Sequence, residues 1–400
     1  DPGETQAVSL GVITADALAW CTVPGHREAG MELDIVATGA SGPAADGGTD
    51  TAQQPAKDVT IEDISRPATQ LPRSADFTRY EDGQAFDPVE RTGPITIEAR
   101  FKIVEGTAEM LPGTTMDFWT FDGAVPGPMI RGRVGDTLDF FLENPEDSEL
   151  PHNVDFHAVT GPGGGAVTLD ATPGATSNLT AKLVEPGVFI YHCAFPDVPT
   201  HLSHGMYGLI VVEPEGGLPE VDHEFYVMQS DFYSTAGGAQ NISGLEDAGH
   251  LDFSGDNARL EEPTFVVWNG RPGSLTGDGA LGADGSIQAG DSVRLFVGNG
   301  GPNLVSSFHV IGEILDRVYV EGSFGLVNTD VQTTLVPAGG AVAVEFTVDV
   351  PGDYLLVDHS LFRLHKGIGG ILTAVGDERP DLYNPKTFST DARGQSEHDE

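Results

Sequence analysis

Sulfur and lysine are scarce in these 400 residues, with two cysteines, six methionines and five lysines. Two cysteines exclude a disulfide framework and leave at most one bridge, Cys21 to Cys193. Basic side chains are thin throughout, 20 against 61 acidic ones, for a formal net charge of −41. Repulsion on that scale argues against nucleic acid or anionic lipid as a partner. Long apolar runs are missing too, so no segment reads as a bilayer span. No extended helical period appears. What the chain has in quantity is turn chemistry, 52 glycines and 27 prolines, between short apolar-patterned runs. An acidic composition often signals disorder, but these runs recur from about residue 95 to 375 and predict a folded protein. The charge then reads as adaptation to molar salt, where the Debye length is about 3 Å and carboxylates keep the surface hydrated.

The runs divide the chain. Residues 36–58, "VATGASGPAADGGTDTAQQPAKD", are small and polar, and the acidic, weakly patterned stretch continues to 92, so 37–92 reads as linker and lead-in. Strand candidates follow: "ITIEARFKIV" (95–104), "MDFWTFDG" (116–123), "DTLDFFLEN" (136–144), "NVDFHAV" (153–159), "TAKLVEPGVFIYHC" (180–193) and "YGLIVVEP" (207–214). A second series runs from "HEFYVMQSDFY" (223–233) to "GIGGILTAVG" (367–376). Two echoes link them: "FDGAVPG" with "WNGRPG", and "EPGVFIYHC" with "VPGDYLLVDH". This predicts an all-β protein of two tandem β-domains, 93–215 and 216–377, with a tail at 378–400.

One loop brings a thiol, a thioether and imidazoles close together in sequence. "GVFIYHCAFPDVPTHLSHGMYG" (187–208) carries His192, Cys193, His201 and Met206. A thiolate, two imidazoles and a weak axial thioether form the donor set of a blue-copper centre. His152, in "PHNVDFHAVTG" (151–161), supplies the missing imidazole. Successive side chains of a strand point to opposite faces. If His152 and Cys193 face inward, then Asp155, His157 and His192 project outward together and form a second site. Two imidazoles are too few for a tight metal site with an open position, whereas three suffice.

"PHNVDFHA", "YHCAFPDVPTHLSHGM", "FHVIG" and "VDHS" together resemble the copper-containing nitrite reductases of the two-domain cupredoxin type, in order and spacing, over most of 93–377. The resemblance implies tandem cupredoxin-type Greek-key β-sandwiches in a homotrimer. It implies a type 1 copper on His152, Cys193, His201 and Met206. It implies a type 2 copper on His157 and His192, completed by His359 of the next subunit. Asp155 and His309 then deliver protons, and Ile311 is the apolar residue over the substrate. The implied reaction reduces nitrite by one electron to nitric oxide and water. The electron comes from a small donor, a cupredoxin or a cytochrome c type, and passes through Cys193–His192. An extracytoplasmic location is expected. Phe195 is a departure, standing where the family often has proline.

"WCTVPGHREAGM" (20–31) repeats a Cys, His, Met arrangement with Cys21, His26 and Met31. It resembles the closing loop of a one-domain cupredoxin, so residues 1–36 are expected to be the C-terminal remnant of an extra domain of that kind. Asp1 at the start fits a processed or partial chain. Two other functions compete. A multicopper oxidase needs His-x-His pairs for its trinuclear cluster, and this sequence contains none. A non-enzymatic copper electron carrier needs only the type 1 set and leaves the outward histidines unexplained.

Overall fold

The computed structural model describes residues 59–68 and 93–384, with the backbone of short strands at 17–20, 32–35 and 79–80. The chain divides into two compact units, 1–53 and 54–400. In the first, β1 (Ala17–Trp20) and β2 (Glu32–Ile35) pair antiparallel. Cys21, His26 and Met31 lie outside the described residues.

The second unit begins with β3 (Thr60–Ile61) and β4 (Arg79–Tyr80), which both run parallel to β5 (Thr96–Leu111). β5 obeys a two-residue period: Ile97, Ala99, Phe101 and Ile103 are buried, while Arg100 and Lys102 are exposed. The same period recurs in β8 (Thr137–Glu143), where Leu138, Phe140 and Leu142 turn inward. β6 (Thr114–Phe121) and β10 (Thr176–Lys182) complete the larger sheet, in the order β10-β8-β5-β6. Against it lies a four-stranded sheet of β7 (Ile130–Arg133), β9 (Asp155–Phe156), β11 (Gly187–His192) and β12 (Tyr207–Glu213). Between them Phe101, Phe140, Phe156 and Tyr191 pack in edge and tilted contacts. Each ring contributes about 2 kcal/mol on burial. Cys193 and Met206 belong to this same core.

The plan repeats. β13 (His223–Phe232) is followed by a 3-10 turn at Ile242–Gly244, by β14 (Gly249–His250), which joins the edge of β6, and by a short α-helix at 255–259. β15 (Phe265–Trp268), β16 (Ser292–Asn299), β17 (Ser306–Ile311), β18 (Leu315–Tyr319), β19 (Val327–Val331) and β20 (Thr333–Val336) come next. β21 (Gly340–Thr347), β22 (Gly352–Asp358) and β23 (Gly370–Ala374) close the series. They form a six-stranded sheet, β15-β13-β16-β21-β18-β19, packed on a four-stranded one, β20-β17-β22-β23. Trp268, Phe308 and Phe346 lie in the core of this second sandwich. A further apolar cluster, including Phe118, Tyr207, Leu209, Met228 and Phe296, is drawn from both halves and cements them together.

Two expectations change in detail. The run 153–159 gives only the two-residue β9, because His152 before it bridges Ala171 instead of β11, and a turn at 157–158, closed by the Val159 N–H on the Phe156 carbonyl, ends the pairing on the other side. The run 180–193 splits into β10 and β11 at Glu185–Pro186. The echoes have local causes. Asp122 and Asn269 both take positive φ (60° and 41°), each before a glycine that does the same, so each echo marks a left-handed turn.

Candidate metal centres

β11 ends at His192, and the next residue leaves the sheet, so consecutive side chains are delivered to opposite sides. Cys193 points inward. Its Sγ lies 3.2 Å from Nδ1 of His201 and 3.9 Å from Nδ1 of His152, and the two Nδ1 atoms are 3.2 Å apart. All three residues are buried. His201 rides on helix α1 (Val198–Ser203), and the loop closes on itself: the Cys193 N–H donates to the Met206 carbonyl, and the Met206 N–H to that of His201. Met206, fully buried beside Cys193 in the core, completes a sulfur, nitrogen, nitrogen, thioether set.

This pocket suits a cation. Burial pushes the Cys193 thiol up to about 12. Burial, then the His152 ring, pushes His201 down to about 3. The Nε2 of His152 donates to a carboxylate oxygen of Glu105 at 2.9 Å, which leaves its Nδ1 bare and facing the other donors. Neutral lone pairs so close together repel unless a metal sits between them, and soft sulfur with imidazole is the set that copper favours. Asn153 braces the thiol side: its Oδ1 accepts from the Ala194 N–H at 2.8 Å and lies 3.9 Å from Sγ.

His192 points the other way. Its Nδ1–H donates to the Cys193 carbonyl at 3.0 Å, so Nε2 is bare, 3.2 Å from Nε2 of His157 and 3.9 Å from Oδ2 of Asp155. The His157 and His192 rings stand at 83° with centroids 5.1 Å apart, as two ligands of one ion would. Partial desolvation, with the His192 ring as neighbour, holds His157 below the usual imidazole range. Behind them a tight turn carries Gly163, Gly164 and Gly165, all at positive φ, and Gly164 lies directly against the Asp155 carboxylate.

His309 and Ile311 sit elsewhere, on β17 in the four-stranded sheet of the second sandwich, with His359 just past the end of β22 in that sheet. His309 and His359 are ring neighbours at 5.6 Å, and the Nδ1–H of His309 donates to the Gln332 carbonyl at 2.6 Å. Ile311 is 41% exposed on the same strand face. Among the described residues His359 does not join His157 and His192 within one chain. At the position of Cys193 in the second echo stands Asp358, fully buried, which accepts from Arg363 and from the Ser307 and Ser360 N–H groups. The second copy therefore uses that position for structure.

Several partners escaped sequence reasoning. Trp119 stacks on His204 at 3.9 Å and meets the His201 ring edge-on at 4.8 Å, walling the inner site. Phe195, which the sequence marks as the departure from the family's proline, lies 6.0 Å from His201 and covers another side. Glu105 carried a legible signal, a carboxylate on the inward phase of β5.

A family model described as multicopper oxidase matches residues 102–217. The copper-containing nitrite reductase of Neisseria gonorrhoeae is 51% identical over 303 residues, 76% of this chain and 74% of that protein. This chain belongs to the copper-containing nitrite reductase family. A solved copper nitrite reductase from Nitrosomonas europaea superposes with a TM-score of 0.59 at 30% identity, covering 72% of this chain and 96% of that one. A solved multicopper oxidase gives a TM-score of 0.58 at 22% identity, covering 79% and 94%, a likeness of fold. The architecture is that of tandem cupredoxin-type β-sandwiches, as in the reductase family.

Proposed function

We propose that the chain is a copper enzyme that reduces nitrite to nitric oxide and water, using one electron and two protons. The observation that carries the reading is the back-to-back delivery of Cys193 and His192 to two donor clusters from consecutive residues. His152, Cys193, His201 and Met206 would hold a type 1 copper. His157 and His192 would hold a type 2 copper, with His359 of the partner subunit as third ligand. Bound copper supplies one-electron redox chemistry at the thiolate set and Lewis-acid binding of nitrite at the histidine set.

The chain's own residues do the rest. Asp155 presents a carboxylate beside His192, placed to hold and pass a proton to a departing oxygen. His309 keeps Nδ1–H on the Gln332 carbonyl, so its Nε2 is the atom that takes up and releases a proton. Ile311 offers an apolar wall against anything larger than a small anion. One peptide bond joins the two ligand sets, which gives an electron a short covalent route. A homotrimer is supported by the exposed apolar residues Ile311, Leu335 and Leu355, which lie on the sheet that carries His309 and that His359 follows directly. Such a ring would bring that face to the exposed His157 of a neighbour. The electron donor is a small carrier of cupredoxin or cytochrome c type, and the working location is extracytoplasmic, in line with the copper chemistry. Among the described residues no helix is long and apolar enough to cross a membrane.

Anaerobic assay of the copper-loaded protein in high salt, with a reduced dye and nitrite, should yield nitric oxide and count two coppers per chain. His157→Ala should keep the intense thiolate-to-copper band, lose one copper, and cut turnover by more than about 100-fold. One copper per wild-type chain with no nitric oxide would instead identify an electron carrier.

A further inference from the structure

Glu105 is a carboxylate where β5 should carry an apolar residue. It follows Ile97, Ala99, Phe101 and Ile103 on the inward phase and is 6% exposed. Burying a carboxylate is costly unless its oxygens are hydrogen-bonded. One oxygen accepts from Nε2 of His152 at 2.9 Å and from the Leu150 N–H at 3.1 Å, and the other from the Glu149 N–H at 3.1 Å. A single side chain thus grips both the imidazole and the backbone that leads into it.

We propose that Glu105 is a positioning residue for the inner copper. Its carboxylate fixes the His152 tautomer and ring orientation that present Nδ1 to Cys193 and His201, and its buried charge lowers the reduction potential there. The inference rests on the type 1 reading of that cluster. A backbone carbonyl could fix the same tautomer by accepting from Nε2–H. A carboxylate adds a full negative charge behind the ring, which makes the ligating nitrogen a better donor. In a core that screens poorly, that charge stabilises the oxidised metal over the reduced one. The loop benefits as well, because the 149–150 backbone is held at the distance that places His152.

The test is redox titration of the copper-loaded holoprotein, followed by the visible thiolate-to-copper band. In Glu105→Gln the reduced-to-oxidised ratio at a fixed applied potential should rise at least tenfold, equal to 59 mV for one electron. Glu105→Asp keeps the charge and should stay within about threefold of wild type. Glu149→Gln removes an exposed charge beside the same loop and should leave the ratio within about twofold. An intact band with an unmoved ratio in Glu105→Gln, or equal shifts in the Gln and Asp variants, overturns the proposal and leaves the type 1 site standing. Absence of the band from wild type overturns the site itself. If Glu105→Gln does not fold, nitrogen NMR of the copper-free wild type decides. A proton on His152 Nε2 supports the proposal, and a proton on Nδ1 overturns it.

Discussion

A methyl group added at Gly164 would lie 1.9 Å from Oδ1 of Asp155 and 2.7 Å from the Phe156 carbonyl oxygen. The turn therefore works because it has no side chain there. Its φ of +54° adds a second reason, since a Cβ costs about 1 kcal/mol in that conformation. Gly164→Ala must push the Asp155 carboxylate away from His192 or move the turn. A displacement near 1 Å at a proton donor lowers turnover by about 10- to 100-fold. The expected result is a fall of that size in kcat, an altered pH profile, and an unchanged thiolate-to-copper band, because Cys193 faces the other side of the sheet. Steady-state nitrite kinetics with visible spectra check it. A variant with wild-type kcat and pH profile would show that Asp155 is not held by this turn. The two clusters of histidine and sulfur were legible because those residues are rare enough for their spacing to stand out, whereas His309, Ile311 and His359 came only with the resemblance. Gly164 was not, since nothing local distinguishes it from the many other glycines.

At the level of elements, alternation made the strands readable, and charged residues that break it mark the devices the pattern cannot explain. β13 is buried along its whole length, yet carries Glu224. Arg131 of β7 reaches across to it, with Nη1 at 2.6 Å from Glu224 and Nη2 at 2.7 Å from Glu213 of β12. Arg294 of β16 also contacts Glu224 and bonds Glu345 of β21 through Nε at 2.7 Å. The paired charges hold Glu224 below, and Arg131 above, their ordinary ranges against the opposing effect of burial. The Arg131–Glu224 pair crosses from one sandwich to the other, where an apolar seam alone would fix no register, and the remaining pairs anchor its two ends within their own sheets. Arg131→Met leaves two carboxylates short of a partner and should cost about 3–5 kcal/mol in urea unfolding. A cost below about 1 kcal/mol would mean that Arg133 and Arg294, which also pair with Glu213 and Glu224, are enough to satisfy them. Which strands face one another is a tertiary fact, so a single sequence could flag these residues as odd without pairing them. The shortened β9 is similar, because its end is set by neighbours on both sides and not by its own apolar pattern.

On the scale of the whole molecule, the effect of the net charge of −41 should depend on salt and that of the buried ion pairs should not. Exposed carboxylates repel one another through solvent, and the Debye length falls from about 10 Å at 0.1 M to about 3 Å at 1 M salt. Self-repulsion destabilises the compact state, so screening it should raise the melting temperature, with most of the gain in that range. Potassium chloride and sodium chloride should act alike, because screening depends on ionic strength. Buried pairs are screened far less, so the penalty of Arg131→Met should be the same at 0.1 M and 2 M. Copper-loaded and copper-free protein should show parallel salt curves, since the thiolate pocket lies inside the core where the salt does not reach. Thermal unfolding of wild type, with and without copper, and of Arg131→Met across potassium and sodium chloride concentrations measures all of this. A wild-type melting temperature that stays flat or falls between 0.1 and 1 M would show that the acidic surface is not self-repelling. The excess of carboxylates would then need a reason other than adaptation to salt.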